Sequence, residues 1–288
     1  MKRLIATTLL VLPLLASDRH NERDWKYEDQ ETIRRSFNFA AGSNARKLLV
    51  DNFTGYVHVT GYSGAEVQVT VQKHIRAESN EAMAEAKRDV KLDMSQQGNF
   101  VRLYVDGPFR SHDGNNYRGD RYYGYNVEFD YEIQVPASTE LVLKTFNHGD
   151  IVVKSTSGDF DLHNFNGGIE VEDINGSGSV NTFNGPVKVG FSKNPAHESN
   201  FKTFNGSIDI YFQPGLNADL MLKTFHGGVY SDFDVTSVPL TSAAGESHEG
   251  RFVYRSSDRT MKVRAGKGGP EMSFDTFNGQ IRLHSKAL

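Results

Sequence analysis

A four-residue phrase with phenylalanine in second place and glycine at its end recurs along the whole of this chain. It reads Asn-Phe-Thr-Gly at Asn52–Gly55, Asn-Phe-Asn-Gly at Asn164–Gly167 and, one residue longer, Thr-Phe-Asn-His-Gly at Thr145–Gly149. Thr-Phe-Asn-Gly follows at Thr182–Gly185, Thr203–Gly206 and Thr276–Gly279, with Thr-Phe-His-Gly at Thr224–Gly227. The phenylalanines are Phe53, Phe146, Phe165, Phe183, Phe204, Phe225 and Phe277; from Phe146 to Phe225 the steps are 19, 18, 21 and 21 residues. A fixed period constrains the fold strongly, because a short unit cannot bury its apolar side alone and must stack on its neighbours.

Each copy lies between two alternating segments. Leu141-Val142-Leu143-Lys144 or Leu220-Met221-Leu222-Lys223 precede it, and pairs such as Ile169/Val171, Val187/Val189, Ile208/Ile210 and Ile281/Leu283 follow. Period-two alternation of β-branched residues, broken at Asn-Gly, predicts strand, corner, strand. Asn and Gly tolerate the positive φ that a sharp corner requires. A period of about 20 residues fits one coil of a β-solenoid, with coils about 4.8 Å apart. A meander of antiparallel hairpins closed at Asn-Gly is the other arrangement. The expected fold is therefore all-β: a single-stack, parallel β-helix-like solenoid with one short helix and irregular insertions.

Residues 1–17 read as a signal peptide: Lys2 and Arg3, an apolar run from Leu4 to Leu15, then Ala16-Ser17. That run is shorter than the roughly 20 residues a spanning helix needs, and no later segment is apolar enough, so no transmembrane segment is expected after cleavage. Residues 18–35 are charged and poor in aliphatics, the composition of a flexible leader. Residues 36–140 form an N-terminal β region. Its strands are expected around Val57–Val59, Val67–Val71 and Val101–Val105, with a helix from Ser79 to Val90 and a Tyr/Gly-rich loop over 111–126. Residues 141–288 carry the repeat, with an insertion near 235–250.

The phrase Val135-Pro136-Ala137, the GDIVV, SGDFDL and NGGIEV runs between Tyr131 and Val189, and the Leu-x-Leu-Lys-Thr corners resemble the bacterial putative-adhesin domain of unknown function. The likeness extends more loosely over about residues 45–288. It implies an extracytoplasmic β-solenoid, periplasmic or at the cell surface, with no established catalytic residues to carry over. The nearly invariant Phe after the Thr departs from the common pattern.

Strand parity bears on where that Phe points. The Thr or Asn shares parity with Leu143, Leu162, Val180, Phe201, Leu222 and Phe274, whereas the Phe shares it with Lys144, His163, Asn181, Lys202, Lys223 and Asp275. Strict alternation puts Thr in the core and leaves a stripe of about four stacked Phe rings outside, bounded by Lys and His. If the strand turns at the corner, Phe instead swings inward as a buried ladder. An exposed stripe marks an interaction surface, one whose aromatic faces suit sugar rings or a protein. The candidate binding residues are Phe146, Phe165, Phe183, Phe204, Phe225, Lys202, Lys223, Tyr122 and Tyr123.

Composition narrows the chemistry. With no Cys, the chain lacks disulfides, thiolate metal sites, a cysteine nucleophile and a lipid-modified N-terminus. Its 32 Lys+Arg against 36 Asp+Glu give a net charge of −4, without the basic excess of a nucleic-acid binder. The ten His show no metal-ligand spacing, though His148, His163 and His226 lie near corners and could meet on adjacent coils. Asp150, Asp159, Asp161, Glu170, Glu172 and Asp173 could line one face, as carboxylates do in glycan-cleaving enzymes. No cofactor is expected. Sequence alone thus points to a non-catalytic, adhesin-like envelope protein that binds or scaffolds, with an envelope polysaccharide or a protein as partner. The alternative is a polysaccharide-active lyase or hydrolase.

Overall fold

A computed structural model describes residues 25–40, 46–110, 122–239, 247–248, 251–252 and 260–286. The signal peptide expected at 1–17 lies outside them, as do most of the loop and insertion expected near 111–126 and 235–250. The first third of the chain forms β1 (Tyr27–Asn38), β2 (Lys47–Asp51), β3 (Val57–Tyr62), β4 (Glu66–Ala77), α1 (Asn80–Asp89), β5 (Lys91–Gln97), β6 (Phe100–Asp106) and β7 (Tyr125–Pro136). Short strands follow in pairs: β8 (Glu140–Thr145) and β9 (Ile151–Lys154), β10 (Phe160–Asn166) and β11 (Ile169–Ile174), β12 (Gly178–Asn184) and β13 (Val187–Phe191). The series continues with β14 (Ser199–Asn205) and β15 (Ile208–Phe212), then β16 (Ala218–His226) and β17 (Val229–Ser231). Then come β18 (Val235–Ser237), β19 (Ser247–His248), β20 (Arg251–Phe252), β21 (Thr260–Ala265), β22 (Glu271–Asn278) and β23 (Ile281–Ser285).

The protein is all-β around two large mixed sheets. One has ten strands in the order β1-β4-β7-β3-β9-β11-β13-β15-β23-β17; the other has eleven, β18-β21-β16-β22-β14-β12-β10-β8-β2-β6-β5. Every repeated corner carries the chain from the second sheet to the first. The strands flanking a corner do not pair with each other as a hairpin would: β10 runs parallel to β8 and β12, and β11 runs parallel to β9 and β13. Alternation then sends Leu141, Leu143, Leu162 and Val180 from one sheet, and Ile151, Val153, Ile169 and Val187 from the other, into one contiguous core. Burying aliphatic side chains of this size gives roughly 1.5–3 kcal/mol each, which makes the two-sheet core the main source of stability.

Three features differ from expectation. Residues 27–35, expected within a flexible leader, lie in β1, which pairs antiparallel with β4 over twelve residues from Tyr27↔Ala77 to Asn38↔Glu66. Composition misleads here because β1 is an edge strand. Its backbone is satisfied by β4 while its charged side chains stay in water, and charge on an edge discourages further pairing. The N-terminal region is also continuous with the repeat region, since β2 pairs with β8 and β3 with β9. The strand pairs, finally, do not stack in chain order. The C-terminal pair β22 and β23 lies between β14/β15 and β16/β17, so Phe277 and not Phe225 is the neighbour of Phe204. Nothing in four near-identical residues distinguishes one corner from another, and so the repeat could not reveal this order.

The helix forms where expected, with Ser79 as N-cap accepting a hydrogen bond from the Ala82 N–H at 3.1 Å.

The corner glycines were expected to supply positive φ. The first two corners do so, with Gly55 at φ 112°, Gly149 at φ 159° and His148 at φ 50°, but Gly167, Gly185, Gly206, Gly227 and Gly279 are absent from the left-handed region. The role of these five is close approach. A Cβ on Gly206 would sit 2.1 Å from the Gly185 carbonyl oxygen, an impossible contact that only backbone separation relieves. Gly206→Ala is therefore expected to cost about 3 kcal/mol in a denaturant titration, the upper range of overpacking. Gly98, with φ 58° and nothing within 4 Å of its missing Cβ, should lose only about 1 kcal/mol on the same change.

Candidate functional site

At each corner the four residues divide the work. The threonine turns inward, buried at Thr182, Thr203 and Thr276 and half-buried at Thr224, and its hydroxyl donates to the glycine carbonyl of the neighbouring corner. Thr182 reaches Gly167 and Thr203 reaches Gly185 at 2.8 Å; Thr276 reaches Gly206 and Thr224 reaches Gly279 at 2.9 Å. Where the sequence has Asn in this place, the amide does the same: Asn164 Nδ2 donates to the Gly149 carbonyl at 2.9 Å. A buried hydroxyl thus satisfies a carbonyl that the turn leaves without a ladder partner.

The phenylalanine turns outward, as strict parity requires, and the inward-swung ladder that a turning corner would give does not form. The rings of Phe165, Phe183, Phe204, Phe225 and Phe277 are 36–45% exposed, while Phe53 and Phe146 are half-buried. The stack is longer than the four rings expected. From Phe53 it runs to Phe146 (5.5 Å between centroids), Phe165 (4.6), Phe183 (4.9), Phe204 (4.8), Phe277 (4.8) and Phe225 (4.7). At the N-terminal end Phe109, buried, stacks on Phe53 at 4.0 Å and closes the row. Aromatic side chains also stack inside, Phe201 on Phe274 at 5.2 Å and Phe191 on Phe212 at 5.5 Å, but these come from other strand positions.

Beside the rings runs a second ladder. Asn166 Nδ2 donates to Asn147 Oδ1 at 3.0 Å, Asn184 to Asn166 at 2.8 Å, Asn205 to Asn184 at 2.7 Å and Asn278 to Asn205 at 2.7 Å. His226 stands where the next Asn would be, its Nδ1 3.0 Å from Asn278 Oδ1. Because that oxygen only accepts, His226 is held in the Nδ1–H form. On the other side of the rings, strand register aligns Lys144, His163, Asn181, Lys202, Asp275 and Lys223.

The structure therefore brings Phe146, Phe165, Phe183, Phe204, Phe225, Lys202 and Lys223 onto one stripe. It corrects the expectation about their faces: stacked within 12° of parallel, the rings from Phe146 to Phe225 cover one another's faces and show solvent mainly their edges. Tyr122 and Tyr123 are not part of the stripe. The Tyr122 hydroxyl bonds Glu78, and that of Tyr123 donates to the Pro108 carbonyl at 3.0 Å, next to the terminal Phe109.

Of the acids read as a possible cleft, Asp150 and Glu170 do line one open cleft of about 380 Å³ with Lys188 and Asp209, but each acid is engaged in an ion pair or a hydrogen bond. Asp150 accepts from the Gly168 N–H at 2.6 Å and Asp159 from the Ser177 N–H at 3.0 Å, both tying one strand pair to the next. Asp161 pairs with His163, Glu170 with Lys188 and Glu172 with Lys154, while Asp173 accepts from Ser155. The Lys154 ammonium holds the Glu172 carboxyl below the usual range. His148, His163 and His226 do not meet: His163 pairs with Asp161, and His226 ends the amide ladder that begins at Asn147. No group of three potential metal ligands exists among the described residues.

Sequence reading missed one carboxylate pair. Glu128 and Asp130, on β7, line an open cleft of about 270 Å³ with Glu28, His74 and Arg76. Burial pushes the Glu128 carboxyl up, and the Asp130 charge adds to it. Burial also pushes Asp130 up, against the Tyr56 N–H that bonds it at 3.0 Å. Alternating Glu128-Phe129-Asp130-Tyr131-Glu132 was the available signal, an acidic outer face opposite an apolar inner one.

No family model and no curated protein matches the chain. Among solved structures, a "putative cell adhesion protein" from Clostridium sporogenes is 12% identical, with 89% of this chain and 100% of that chain covered and a TM-score of 0.45. A "putative adhesin" from Bacteroides fragilis is 11% identical (89% and 97% covered, TM-score 0.37). A "putative lipid binding protein" from Parabacteroides distasonis is 9% identical (89% and 97% covered, TM-score 0.29). No described helix is long and apolar enough to cross a membrane.

Two expectations follow. Thr203→Val keeps shape but strands the Gly185 carbonyl and should lower stability by about 1 kcal/mol. Phe183→Ala removes two ring contacts and should lose about 1–3 kcal/mol beyond its burial; both are read from denaturant midpoints. At Glu128 and Asp130 the folded state favours the protonated form, so their contribution is fully present below the ordinary carboxylate range and lost as pH rises through the raised values. Amide exchange in β4 and β7 should therefore quicken as pH rises above the ordinary carboxylate range, after correction for intrinsic rates, and less so in Asp130→Asn.

Proposed function

We propose that this protein is a non-catalytic, adhesin-like component of the bacterial cell envelope, built as a β-solenoid and working outside the cytoplasm. The observation that carries this reading is the half-exposed, unbroken Phe ladder with its parallel amide ladder. A contiguous apolar stripe of this length on a soluble surface is characteristic of an interaction site. Its period, set by strand spacing, offers the same contact many times to a repetitive partner such as an envelope polysaccharide, or to a protein. Many weak identical contacts give avidity without a deep pocket. The corners are built from short strands and backbone contacts, so the stripe is rigid and little ordering entropy opposes binding.

A second reading, a polysaccharide-active enzyme, rests on one observation, the raised Glu128 and Asp130 in their cleft. Raised carboxyls in a cleft are candidates for acid chemistry, and here they would replace the acids near Asp150–Asp173.

Co-sedimentation of the purified protein with peptidoglycan sacculi and insoluble polysaccharides, with the supernatant assayed for released sugar, separates the two. Retention without release, lost in Phe183→Leu/Phe204→Leu, is the expected result. Sugar release abolished by Glu128→Gln/Asp130→Asn would establish the enzyme instead.

A further inference from the structure

The exposed surface of the ladder has an electrostatic sign. A phenyl ring is negative over its face and positive at its edge. Because neighbouring rings cover the faces at 4.6–4.9 Å from Phe146 to Phe225, what reaches solvent is a row of positive edges. Cations and the apolar faces of neutral sugars, which seek ring faces, find none along the interior of the row.

The flanks reinforce that sign. The row beside the rings holds three lysines, Lys144, Lys202 and Lys223, against two carboxylates, Asp275 and, at the Phe53 end, Asp51, which Arg110 already neutralises at 2.8 Å, on a chain whose net charge is −4. Lys144 and Lys202 are exposed, with no ion pair among the described residues. The outer face of the ten-stranded sheet is different: its charges neutralise one another through Lys188–Glu170 (2.6 Å), Lys154–Glu172 (3.0 Å) and Arg282–Asp209 (3.1 Å). Positive character is thus concentrated along the ladder and cancelled on the opposite side. On the other flank the Asn amides bond one another through one N–H each, which leaves the second N–H of each amide as a further donor.

The geometry points to a linear acidic polysaccharide, carrying carboxylates at regular intervals, as the ligand laid along the ladder. This rests on the ladder-binding reading above and names its ligand class. Ring edges and amide N–H groups meet the carboxylates, the lysine row supplies the charge, and the straight row requires an extended chain. A bilayer fits the same charge less well, because the rings lie at most 45% exposed and do not protrude as anchors.

The test is calorimetric titration of the full-length protein with oligogalacturonates of graded length, with their methyl esters, and with vesicles of phosphatidylglycerol. The free acids are expected to bind at least tenfold more tightly than the esters, with affinity rising with length and falling when ionic strength is raised from about 0.05 to about 0.5 M. Lys144→Gln/Lys202→Gln, surface changes that leave the core untouched, should weaken binding about fivefold, and Lys154→Gln on the other sheet should not. Equal affinity for acid and ester, both lost in Phe183→Leu/Phe204→Leu, would overturn the acidic class while leaving ladder binding in place. Binding unaffected by the Phe changes would overturn both. Preference for the vesicles, or no binding to any probe, would overturn the polysaccharide assignment.

Discussion

Everything distinctive about this protein depends on backbone meeting backbone at the corners. With 2.1 Å between the missing Gly206 Cβ and the Gly185 oxygen, there is no room for a side chain, and neighbouring corners are locked at the spacing of paired strands. At that spacing a hydroxyl reaches the carbonyl of the next corner, an amide reaches the next amide, and a ring reaches van der Waals contact with the next ring. Widening the step would break three sets of contacts together. The small residue is therefore what permits the large one beside it to form a ladder.

The ladder in turn changes what its rings can do. Isolated surface phenylalanines offer faces; stacked ones mainly offer edges, so the same composition yields a surface of the opposite electrostatic sign. The lysine row and the amide ladder extend that surface on either side. Elsewhere charge is spent on structure, with Asp150 and Asp159 tying strand pairs through backbone N–H groups and Glu170 and Glu172 neutralising lysines across strands.

Stacked parallel strands leave edges that would recruit other chains. At one end the ten-stranded sheet finishes in β1, whose charged side chains face water, and the eleven-stranded sheet in β5, seven residues long and mostly polar. At the other end the terminal strands β17 and β18 are each three residues long, too short to template a partner, and β21 runs antiparallel to β16. The insertion of β22 and β23 between earlier strand pairs means that the pair β16 and β17 docks on the C-terminal segment and not on its predecessor in sequence.

Much of this was written locally. Period-two alternation put Thr203 in and Phe204 out, because successive side chains on a strand face opposite ways, but a strand turning at the corner would have buried Phe204, and tertiary packing decided between the two; the recurrence of the phrase determined that like residues would stack; and Ser79 determined where the helix begins. What only tertiary structure decided were the non-local facts. Which corner neighbours which was beyond a repeat whose copies are interchangeable. Whether a charged segment such as Tyr27–Arg35 is strand or tail depended on β4 offering it twelve partners. The use of glycine for proximity and not for positive φ at the five later corners, and the turning of ring edges to solvent, required the neighbouring strands to be in place. The pairing of Glu170 with Lys188, residues in separate strand pairs, likewise appeared only when strand register set them side by side. Sequence specifies the direction of each side chain through its own backbone, but what that side chain meets is specified by strands far away in the chain.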